Sequence, residues 1–161
     1  MKIVVQKISS SARDTVLGIV AAELGSEVGY GHFADGAPML IGSDLRISVS
    51  HSRRRAAVAL GTPDEPPFGI DVEETDRNRQ LLRVATRFLT EQEAALWADR
   101  LTEAWTCKEA VYKAARAPGL PLKAICLTEP GTATLPDGRR FALNSDSQPE
   151  YVITTAQELP L

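Results

Sequence analysis

The sequence predicts an α+β protein in two lobes, each a helix packed on a small antiparallel sheet. Three observations carry that expectation. Both halves run through one loose order of elements: strand, helix, antiparallel strands. Residues 61–67, Gly-Thr-Pro-Asp-Glu-Pro-Pro, place three prolines and a glycine between them, which suits a linker, so the expected units are residues 1–62 and 67–161. And 161 residues, 43% of them hydrophobic, can fill one core or two small lobes sharing it.

Taken in order, residues 2–8 carry the branched Ile3, Val4, Val5 and Ile8 of a strand. Serines 9 to 11 then offer a cap, and Val16, Leu17, Val20, Ala21 and Leu24 form a helical stripe stopped at Gly25. Residues 28–33 make a short strand. The turn-rich residues 34–38 lead into Met39, Leu40 and Ile41, and Leu45, Ile47 and Val49 alternate as a strand that pairs with residues 56–60, leaving Ser50 to Arg55 at the bend. In the second half residues 68–72 are a strand, 79–88 a helix and 90–116 one long helix, opened by Thr90 with Glu93 completing a capping box. Pro118-Gly119 stops it. Four antiparallel strands follow, with Pro136-Asp137-Gly138 as a turn.

The net charge of −3 excludes a general nucleic-acid binder, because no basic excess is available to displace counterions from phosphates. Cys107 and Cys126 lack metal or redox spacing, which points to free thiols in a reducing compartment. No run reaches about 18 apolar residues and the start lacks a signal peptide's core, so the expectation is a cytoplasmic monomer without a membrane segment.

Chemistry concentrates in three places. On the long helix, Trp97, Leu101, Ala104, Trp105, Tyr112 and Ala115 recur at spacings of three and four, as an apolar stripe. Glu109 falls at its edge with Lys113 four residues on, which is either an ordinary surface pair or an acid and a base beside aromatic packing. On the strand, Asp71 and Glu73 share a face about 6.6 Å apart while Ile70 and Val72 turn to the core. Two such carboxylates repel. A third from Glu109 would require protonation, basic partners or a cation, and three oxygens completed by water suit Mg²⁺. The plainer alternative is a solvated strand end continued by Glu74 and Asp76. At the bend, His51 and Arg53, Arg54 and Arg55 form a cationic cluster suited to phosphate, or an ordinary basic turn.

Read together, Ser50-His51-Ser52, Gly69-Ile70-Asp71-Val72-Glu73 and Trp105 to Lys113 (Trp-Thr-Cys-Lys-Glu-Ala-Val-Tyr-Lys) resemble the signature of the 4'-phosphopantetheinyl transferase superfamily. The resemblance implies two pseudo-twofold-related lobes, as in the Sfp-like branch, with coenzyme A between them. It implies transfer of phosphopantetheine from coenzyme A to a serine of an acyl or peptidyl carrier protein, releasing adenosine 3',5'-bisphosphate. By motif position, Asp71, Glu73 and Glu109 would hold Mg²⁺. Lys113 would touch the pyrophosphate, Ser50 and His51 the coenzyme A phosphates, and Glu109 or a water would be the base. The chain departs from the pattern where Gly36-Ala37-Pro38 stands in place of a frequent Gly-Lys-Pro, so Arg13, Arg46 or Arg53 would have to supply the missing cation. Thr106 replaces a usual serine. The competing expectations are a Mg²⁺-dependent phosphoester hydrolase, for which no dedicated motif exists, and a non-catalytic relative that binds coenzyme A or a carrier protein.

Overall fold

The computed structural model describes residues 1–160; Leu161, the last residue of the expected second unit, lies outside the described residues. The first half contains β1 (Lys2–Lys7), α1 (Ala12–Leu24), β2 (Gly29–His32), β3 (Pro38–Ile41), β4 (Arg46–His51) and β5 (Arg55–Gly61). The second contains β6 (Phe68–Glu74), α2 (Asn78–Phe88), α3 (Glu91–Leu96), α4 (Leu101–Ala115), β7 (Cys126–Glu129), β8 (Thr132–Thr134), β9 (Arg140–Ser147) and β10 (Tyr151–Glu158). One sheet runs β1-β5-β4, a second β6-β10-β9-β8-β7, and β2 and β3 form a separate hairpin. The pairings are antiparallel throughout. This is the expected α+β architecture, with α1 on the first sheet and α4 on the second.

Both helix starts follow their local chemistry. The Ser11 hydroxyl accepts from the Asp14 amide at the head of α1, and Gly25 ends it at φ 99°, a conformation that costs glycine little. Val16, Ile19 and Val20 are buried against Val58 and Leu60 of β5. Thr90 and Glu93 form the capping box at α3.

The expected single helix over 90–116 is two. It breaks at residues 97–100, where Trp97 leaves helical geometry, its indole N–H donating to the Leu127 carbonyl of β7 at 3.0 Å. Asn78 of α2 caps the restart, accepting from the Thr102 amide and hydroxyl. Of the expected apolar stripe Trp97, Leu101, Ala104 and Ala115 are buried, whereas Tyr112 is exposed and Trp105 half-buried, edge-on to Phe88 at 5.1 Å; Cys107, Ala110, Val111 and Ala114 complete the covered face.

Lys108 and Glu93 are completely buried on that face. The ammonium donates to Glu93 Oε2 at 2.8 Å, while Oε1 accepts from the Leu127 amide, so a single carboxylate ties α3, α4 and β7 together. Beneath α4, Thr106 bonds Thr154 of β10 at 2.8 Å, which gives the threonine a structural partner.

The two large sheets meet along β4 and β6. Serines at alternate positions along β4 and just past its end face β6: Ser48 accepts from the Ile70 amide, Ser50 accepts from the Val72 amide, and Ser52, one residue beyond β4, donates to Glu74. Side-chain hydroxyls stand here where a sheet would use backbone bonds. Ala57, Ala59, Ile70, Val72 and Ile153 fill the space between.

Candidate active site

Gly69 sets the distance between β6 and α4. A Cβ placed there would lie 2.1 Å from the Ala110 carbonyl oxygen and 2.7 Å from the Ala114 nitrogen, so only glycine lets the strand come this close. Because side chains alternate along a strand, Asp71 and Glu73 point to the same side as Gly69, toward the helix that carries Glu109. The strand that bears two acids therefore packs directly on the helix that bears the third.

All three carboxyls are held above their usual range. Burial is the main cause in each case. For Glu109 the next cause is the Asp71 charge, with Glu73 adding to it; Glu73 in turn feels Asp71 and Glu74. Cations offset part of this. Lys113 donates to Asp71 Oδ1 at 2.7 Å and to the Ile70 carbonyl, and Arg77, four residues after Glu73, pairs with it. Lys113 thus serves Asp71, and the expected helix-surface pair with Glu109 does not form among the bonded contacts.

The Ser50 hydroxyl donates to Asp71 Oδ1 at 2.7 Å, and Asp71 Oδ2 is buried with no partner among the described residues. Among the described residues no three His, Cys, Asp or Glu side chains converge as a ready metal cluster; Glu73 is turned to Arg77 and Asp71 to Lys113. The donor set nonetheless suits a hard cation. An orphaned buried carboxylate oxygen beside two mutually repelling acids is what a small divalent ion would relieve.

Next to the acids, a cleft of about 950 Å³ opens between α1, the β2–β3 hairpin, β4 and the end of α4. Arg13, Arg46, His51, Lys113 and Arg116 line it. Lys113 joins cleft to acids, since it borders one and bonds the other. Arg46 also donates to the Glu65 carbonyl at 2.8 Å, and Arg116 pairs with Asp35 at 2.7 Å across the rim.

Two of the expected phosphate ligands lie elsewhere. Ser50 is buried between the sheets, its hydroxyl committed to Asp71 and Val72. Arg53 faces away from the cleft and pairs with Asp76 at 2.9 Å, while Arg54 reaches the same carboxylate and Arg55 pairs with Glu150 under the Tyr151 ring. The basic turn is thus largely neutralised by nearby acids. Sequence reasoning missed Arg77, which the i,i+4 spacing from Glu73 could have shown, and missed the buried roles of Glu74, Glu93 and Lys108, for which no local signal exists.

Residues 67–156, just over half of the chain, match the family model described as 4'-phosphopantetheinyl transferase superfamily. The chain belongs to that superfamily. The matched span holds β6, α4 and all three acids. His51, Arg13 and Arg46 precede the span. No curated protein matches the chain. Among the described residues of this superfamily member no helix is long and apolar enough to cross a membrane.

Proposed function

We propose that the protein transfers the phosphopantetheine arm of coenzyme A to a serine of an acyl or peptidyl carrier protein, as a holo-carrier-protein synthase. The observation that supports this most is the approach of Glu109 on α4 to Asp71 and Glu73 on β6, beside a cleft bordered by Arg13, Arg46, His51 and Lys113. In this reading residues 1–62 and 67–161 act as two lobes of one cytoplasmic monomer, with coenzyme A in the cleft.

Asp71, Glu73 and Glu109 would hold Mg²⁺, which when bound supplies charge neutralisation on pyrophosphate oxygens. Glu73 is paired with Arg77 and Asp71 with Lys113, so these two cations balance the acids and would be available to phosphate if a metal took over that role. Lys113 is the natural partner of the pyrophosphate, because its ammonium already reaches both cleft and acids. Arg13, Arg46 and His51 would hold the nucleotide phosphates, in place of the lysine absent at Ala37. Ser50 acts through Asp71 rather than on the ligand: its hydroxyl fixes Oδ1 and leaves Oδ2 free. The carrier serine oxygen forms a bond to the β-phosphorus as the pyrophosphate bond breaks. Adenosine 3',5'-bisphosphate leaves, and the serine proton goes to Glu109 or to a water held by the acids.

The test is mass spectrometry of an apo carrier protein incubated with the enzyme, coenzyme A and Mg²⁺. Transfer adds one phosphopantetheine to the carrier. Coenzyme A cleaved while the carrier stays unmodified would instead show a hydrolase, and neither product would show a binding protein.

A further inference from the structure

Glu74 follows the acids on β6, and strand alternation turns it to the opposite side from Glu73. Only 2% of it is exposed. A carboxylate buried that deeply is costly unless donors surround it, and here they all come from one place. Oε1 accepts from the Ser52 hydroxyl at 2.5 Å and the Arg54 amide at 3.1 Å; Oε2 accepts from the Arg53 amide at 3.2 Å. Arg55 Nη1 lies 3.9 Å from Oε1, buried and without a hydrogen-bond partner among the described residues. Glu74 therefore caps the turn joining β4 to β5, taking two successive backbone N–H groups as an anion would in a backbone nest.

His51 is the last residue of β4, directly before that turn, and borders the cleft. The turn is closed on its other side by the Ser52 amide donating to the Arg55 carbonyl at 2.8 Å, so holding it also holds the end of β4. Strand β6 thereby supports both halves of the site. Asp71 and Glu73 reach toward α4, and Glu74 reaches back to the turn that presents His51.

We propose that Glu74 is a positioning residue which, by capping the 52–54 turn, keeps the His51 imidazole at the cleft wall in register with Asp71 and Glu73. Its consequence for ligand binding rests on the coenzyme A reading of the cleft; the clamp itself does not.

The experiment combines amide hydrogen exchange with coenzyme A calorimetry on the full chain, for wild type, Glu74→Gln, Glu74→Ala, His51→Ala and the Glu74→Ala/His51→Ala pair. Glu74→Ala is expected to speed exchange at Arg53 and Arg54 and to weaken coenzyme A about tenfold, the scale of one lost charged hydrogen bond. Adding His51→Ala to it should then cost nothing more, whereas Glu74→Gln, which keeps an acceptor oxygen, should recover part of the affinity. Unchanged exchange at Arg53 and Arg54 overturns the clamp, and additive losses overturn its action through His51. Should Glu74→Ala fail to fold, Ser52→Ala carries the same comparison. A wild-type protein that does not bind coenzyme A refutes the transferase reading, and exchange at the two amides then decides the clamp alone.

Discussion

Glu109 is the residue whose surroundings determine most. Burial and the charges of Asp71 and Glu73 raise its carboxyl, so the folded chain keeps a proton that the unfolded chain has released. Stability therefore falls as pH rises from the ordinary glutamate range, about 4.3, through the raised range. In metal-free protein Glu109→Gln should melt above wild type at pH 8, with the gap closing as the pH drops toward about 4. A gap that stays constant, read by calorimetric scans across pH, contradicts the crowding. A second residue-scale expectation concerns the thiols. Burial pushes the Cys107 thiol up to about 11 while Cys126 is exposed, so a thiol reagent should titrate one cysteine in native protein and both only after unfolding. Two rapid thiols would place Cys107 at the surface. That Glu109 borders a buried face was legible from helical spacing, although Ala110 and Val111 rather than Trp105 and Tyr112 form that face. The partner of Lys113 was not, because Asp71 stands 42 residues away and only folding brings it there.

Among the elements, β6 and α4 decide the site, and Gly69 measures their separation. Gly69→Ala should force the helix outward, destabilise by about 1–3 kcal/mol and reduce any thermal stabilisation that the proposed Mg²⁺ would give. Wild-type stability in that variant would mean the strand and helix have room to spare. Lys108→Met tests the helix from its buried side. It leaves Glu93 without its cation in a dry interior, at a cost of about 3–5 kcal/mol in denaturant unfolding. A loss below about 1 kcal/mol would contradict the dry environment assigned to the pair. The capping box at Thr90 was legible, being local in sequence. The break at residues 97–100 was not, since it depends on a carbonyl of β7 and a cap from Asn78, neither of which helical periodicity contains.

At the scale of the molecule, the order of elements and the two-sheet architecture could be read from patterning, because alternation and Pro-Gly punctuation are local signals. How the sheets join could not. Ser50 read in sequence as a phosphate ligand, Ser52 as part of a polar bend and Ser48 as an ordinary strand residue, yet all three knit the β4 segment to β6. The arginines after His51 read either as an anion site or as an ordinary basic turn, and the second holds, with Asp76 and Glu150 balancing them. What remains of the cationic expectation is the cleft with Arg13, Arg46, His51 and Lys113, beside the acids that the family match contains. The claim uniting these features is that one divalent ion joins β6 to α4. Crystals grown with Mn²⁺ and coenzyme A test it through the anomalous signal of the metal. A single peak at coordination distance, roughly 2.0–2.3 Å, from oxygens of Asp71, Glu73 and Glu109 is the predicted result. A metal bound elsewhere, or a filled cleft with Lys113 and Arg77 still holding the acids, would contradict it.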